Sequence, residues 1–194
     1  MAKLRLPDSL QIRAGALGSV VGAMWLVYVL DFLIPGSGSL LGHGIIPRRS
    51  GGLKGILVAP LIHGSIQHLV ANGIPLLILG GLLLLSGVGE FVVVVLTAMI
   101  VAGVGTWLFG AGNAQHIGAS GVIFGLFGYL LFRTAFDRHL SSALTTLVVA
   151  VAYGAAMAQS LIPAYSISWS GHFFGFIGGI AAARLRQPDE VRSP

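Results

Sequence analysis

The sequence predicts an all-α, polytopic membrane protein with six transmembrane helices. Three observations predict it. Hydrophobic residues make up 55% of the 194 positions and charged ones only 9%, and the mean hydropathy of +0.91 lies far from a soluble balance. Residues 91–132 and 140–183 carry no formal charge, and each stretch is long enough for two spans at about 20 residues per span. Each is also broken once by polar, Gly or Pro residues, at 110–116 and at 163–170.

The elements follow in order. Lys3, Arg5 and Arg13 precede an uncharged stretch, residues 14–30, that is longer than a signal-peptide core and has no small-residue cleavage site after it, so 14–34 reads as a first span. A glycine-rich, partly apolar loop at 35–62 suits the membrane interface. Spans at 63–86, 91–109, 117–133, 141–162 and 171–184 complete the set. The expected organisation is an N-terminal tail 1–13, one membrane domain 14–186 and a C-terminal tail 187–194. With six spans both termini share a side. That side holds Lys3, Arg5, Arg13, Arg133, Arg138, Arg184, Arg186 and Arg192, against Arg48, Arg49 and Lys54 opposite, so eight cations face three. The bias predicts a multi-pass cell-membrane protein with both termini cytoplasmic.

The net charge of +5 is therefore a topology signal. No basic patch alternates with aromatics, which argues against a nucleic-acid partner. Cysteine is absent, which excludes disulfides, thiolate metal sites and a cysteine nucleophile.

Polar groups inside apolar helices carry the chemistry. Ser120 sits in the run Gly118, Ala119, Ser120, Gly121, and His172 follows Ser170 and Gly171 in the last span. A serine with a histidine is the minimum equipment for nucleophilic hydrolysis. Gly121, Gly125 and Gly128 line one helix face, and Gly171, Gly175 and Gly179 recur every four residues on the other. Small faces of this kind permit close backbone approach, which would bring Ser120 and His172 to one depth near the extracytoplasmic side. In the second span His68 and Asn72 lie four residues apart on one face, and their side chains can offer donors to a developing oxyanion. A metal site is disfavoured because the spacing is not HExxH and no carboxylate is near.

These motifs resemble the rhomboid intramembrane serine proteases across nearly the whole chain. The resemblance rests on His63, His68 and Asn72 in the second span, Gly118, Ala119, Ser120 and Gly121 opening the fourth, and His172, Gly175 and Gly179 in the sixth. It implies a rhomboid-like six-helix fold, with Ser120 as nucleophile and His172 as general base. His68, Asn72 and the Ser120 backbone N–H become oxyanion donors, and no cofactor is implied. The partners it implies are the lipid bilayer and single-span membrane proteins, cleaved near a helix end. Two positions depart from the family's pattern. The first loop reads Leu53, Lys54, Gly55 where many members carry Trp-Arg, and Phe124 stands where a tyrosine often stacks on the histidine.

Two rival classes are weighed against a protease. A non-catalytic rhomboid-like binding protein would be expected to lack Ser120 or His172, and both are present. A small transporter would be expected to show paired intramembrane carboxylates or a clear repeat.

Overall fold

The computed structural model describes residues 9–33, 39–137, 139–162 and 168–186. Most of both expected tails lies outside the described residues. Helix α1 spans Leu10–Leu33. A loop of short 3-10 turns with a four-residue helix α2, Gly55–Val58, leads to α3, Ile66–Leu84. Then come α4, Val88–Phe109, α5, Ser120–Asp137, α6, Leu140–Ser160, and α7, Trp169–Leu185. Among the described residues there is no strand: the helices are joined by turns and loops, with one antiparallel bridge between Ile45 and His116. Four helices, α1, α3, α4 and α6, are long and apolar enough to cross a membrane.

Each long helix starts within four residues of the sequence expectation, and two of the shifts have a clear local reason. The second span begins at Ile66 rather than 63 because Ser65, extended at φ −159°, accepts the His68 N–H at its side chain and so caps the helix. His63 is left in the preceding loop. The helix expected from 117 begins at Ser120 because Gly118 holds φ +101°, a conformation open to glycine and costly for other residues. The chain therefore turns sharply just before the serine.

Helix α5 is the centre of the molecule, with every residue from Val122 to Leu130 buried, as a helix apolar all round requires. Its glycine row meets that of α7. A β-carbon on Gly121 would stand 3.2 Å from the Gly171 carbonyl oxygen, and one on Gly125 3.2 Å from that of Gly175. In the other direction, β-carbons on Gly175 and Gly179 would overlap the carbonyls of Gly121 and Gly125. Helix α4 closes on the same pair, with Ala98 and Ala102 against Gly125 and Gly121 and the Phe174 ring laid over Gly105. This is packing by backbone approach, the mode that works where lipid offers no hydrophobic drive between helices.

Helices α1 and α6 are peripheral: Met24 is the one buried residue of α1, and α6 buries Ser142, Val149 and Met157. Polar ties secure the ends. Near the start of α4, Tyr129 donates to Glu90, which also pairs with Arg186 at 3.5 Å. Arg133 reaches Ser142 at 2.9 Å and Ser86 at 2.8 Å. In the first loop, Arg48 at φ 58° donates to the Leu108 and Gly110 carbonyls at 3.0 and 2.9 Å. The Trp107 indole N–H donates to the Arg49 carbonyl at 2.9 Å. The loop that lacks the Trp-Arg pair is thus anchored by an arginine from within it and a tryptophan from α4.

Candidate active site

Ser120 is the first residue of α5 and His172 lies in the first turn of α7. The locked glycine rows put those two turns side by side, and both side chains line one cavity of about 960 Å³ with His68 and Asn72. The cavity runs between α3 and α6, bounded by Ala71 and Pro75 on one side and Tyr153, Ala156 and Met157 on the other. Asn113, Gln115, His116 and Ser168 form its polar mouth. Among the described residues Ser120 Oγ has no hydrogen bond to His172.

The imidazole of His172 is held on two sides. Its Nδ1 lies 2.9 Å from the Ser160 carbonyl at the end of α6. A carbonyl only accepts, so Nδ1 carries the proton and the neutral ring presents a bare Nε2. The Phe124 ring stacks on its face, centroids 4.2 Å apart and planes 9° from parallel. Phenylalanine supplies the flat surface without a hydroxyl. The Ser160 contact had no signal in the sequence, because any residue type offers the same backbone oxygen.

The other expected residues gather at the turn before Ser120. A β-carbon on Gly118 would come within 2.6 Å of His68 Nε2 and 3.8 Å of Asn72 Nδ2, so the missing side chain lets both groups sit against that backbone. Asn72 Nδ2 donates to the His68 carbonyl at 2.9 Å, which leaves its second N–H for another acceptor. The amides at the start of α5 have no partner within the helix, since its first internal bond runs from Ile123 N to Ala119 O at 3.0 Å. His63 is displaced from the cavity lining. It is 2% exposed, donates from Nδ1 to Leu61 O at 3.3 Å, and meets the His68 ring edge-on at 4.9 Å. Among the described residues no three His, Cys, Asp or Glu side chains converge to hold a metal.

Comparison with known proteins identifies the family. Residues 50–188 match the Rhomboid domain model. An uncharacterized protein of Mycobacterium tuberculosis is 39% identical over 182 residues, covering 89% of this chain and 75% of that protein. One of Mycobacterium leprae is 38% identical over 179 residues, covering 88% and 70%. The rhomboid protease GluP of Bacillus subtilis is 30% identical over 141 residues, 68% of this chain and 26% of its own length. With its domain match and its long apolar helices, the chain belongs to the rhomboid family of membrane proteins.

Proposed function

We propose that this chain is a six-span intramembrane serine endopeptidase that cleaves single-span membrane proteins in or near their transmembrane helix. The observation that carries the reading is the interlock of the α5 and α7 glycines, which sets Ser120 and His172 in adjacent first turns opening on one cavity.

The chemistry follows from the residues. His172, with Nδ1–H committed to Ser160, takes the Ser120 proton at Nε2 as the serine oxygen bonds to the substrate carbonyl carbon. Negative charge develops on the former carbonyl oxygen, where His68, the free Asn72 N–H and the Ser120 amide at the helix start supply donors. The C–N bond then breaks and His172 gives its proton to the leaving amine. Water repeats the relay: it loses a proton to His172 as its oxygen bonds to the acyl carbon, the ester bond to Ser120 breaks, and His172 returns the proton to the Ser120 oxygen. The polar mouth around Asn113 and Gln115 is the route for that water. A substrate segment entering between α3 and α6 must unwind, because a helical peptide bond hides its carbonyl in the i to i−4 ladder.

Labelling of detergent-solubilised protein with a fluorophosphonate tests the assignment. Stoichiometric labelling that Ser120→Ala abolishes is expected. An unlabelled wild type would favour a rhomboid that binds membrane proteins without cutting them.

A further inference from the structure

His116 lies outside the dyad and the oxyanion donors, yet it touches the first loop at Ile45, the turn at Gly110 and Ala111, and Ser168 before α7. Its backbone pairs with Ile45 in both directions, at 2.9 and 3.0 Å, which ties the turn before Ser120 to the first loop. Its ring packs where a β-carbon on Gly110 would stand, 2.9 Å from Nε2. Nε2 lies 3.3 Å from the Ala111 carbonyl and Nδ1 2.7 Å from the Ser168 hydroxyl. Because a carbonyl only accepts, Nε2 carries the proton and Ser168 O–H donates to Nδ1. Burial, the largest influence, keeps this ring below the ordinary histidine range; the Ala111 carbonyl opposes that and nearby Arg48 adds to it, so the neutral form prevails. Ser168 in turn caps α7, where its carbonyl accepts the His172 N–H at 3.1 Å.

We infer that His116 is a positioning residue, whose hydrogen bond to Ser168 fixes the turn carrying Ser120 against the turn carrying His172. The inference rests on the proposed protease reading. The glycine rows set the depth of α5 against α7, and their first contact, Gly121 against the Gly171 carbonyl, adjoins the two reacting groups. At the mouth, the His116–Ser168 bond runs from the loop four residues before α5 to the residue that precedes α7. A displacement of about 1 Å between reacting groups costs on the order of 100-fold in rate, so a single bond at that place has leverage on turnover without touching substrate.

The test uses the purified full chain and reads fluorophosphonate labelling rate, kcat and KM on a single-span substrate, and thermal stability. His116→Ala and Ser168→Ala should each lower kcat and the labelling rate by about 10- to 100-fold with KM unchanged. The double variant should be no slower than either single one, because both remove one bond. His116→Asn, whose amide oxygen takes the place of Nδ1, should recover most of the rate, and His116→Gln should not. Ser168→Ala removes one hydroxyl only and guards against misfolding of the histidine variants. Wild-type kcat in Ser168→Ala, additive losses in the double variant, or a loss confined to KM would overturn the inference. A wild type that neither labels nor cleaves would overturn the protease reading itself, and this inference with it.

Discussion

The ring of Phe124 lies flat against the imidazole of His172, with centroids 4.2 Å apart. Phe124 stands one turn below Ser120 on the same helix, so one side chain links the serine's turn to the histidine's ring. Stacked rings are worth about 0.5–1.5 kcal/mol beyond their buried area. Phe124→Leu keeps most of the bulk and removes the flat face, and kcat should fall between a few-fold and about tenfold with little change in KM. An unchanged kcat would show that the stack does not orient the base.

The glycine interlock gives a sharper expectation than glycine spacing alone. Spacing suggests that Gly175→Ala is milder than Gly175→Leu. The structure sets a backbone oxygen, that of Gly121, in the path of any β-carbon, and backbone cannot swing aside as a side-chain tip can. Gly175→Ala should therefore already destabilise by about 1–3 kcal/mol and lose most proteolysis. Gly154→Ala in α6, with nothing within 4 Å of the new carbon, is the control and should leave both unchanged. Thermal melts and substrate cleavage measured on both variants decide the matter.

The parts of the site legible in the sequence are those written in side-chain identity and period. His68 and Asn72 share a face because four residues is about one helical turn, and two glycine rows at three- and four-residue steps announce a close helix pair. What stayed hidden depends on backbone or on pairs distant in sequence. Ser160 acts through its carbonyl, which any residue would provide. The His116–Ser168 bond joins two loop residues 52 positions apart, each unremarkable alone. Composition puts a helix start at 117, but the positive φ of Gly118, which no residue identity announces, makes that residue the turn and moves the start to Ser120.

Stability should depend on pH through His116. An unfolded histidine takes up a proton near pH ~6.5, while burial lowers the folded value. The contribution is complete above about pH 6.5 and is lost as pH falls through the depressed folded value. The melting-temperature difference between wild type and His116→Asn should therefore shift against the wild type between about pH 7.5 and about pH 5. A difference that stays constant would show that His116 titrates alike in both states.

Topology has its own test. If both termini are cytoplasmic, as the cation bias predicts, a cysteine at Asn113 should react with an impermeant thiol reagent applied outside intact cells, and one at Ser9 or His139 should not. All three positions are exposed, and the native chain has no cysteine to interfere. Reaction at Ser9 and protection at Asn113 would reverse the orientation read from the cation bias.

The most direct measurement of the central claim is cleavage in liposomes containing only the purified chain and a single-span reporter, with the products weighed by mass spectrometry. Wild type should give two fragments whose masses sum to the reporter plus one water, and Ser120→Ala should give none. Fragments released by Ser120→Ala at the wild-type rate would contradict the account, because the bond would then be cut without the serine at the head of α5.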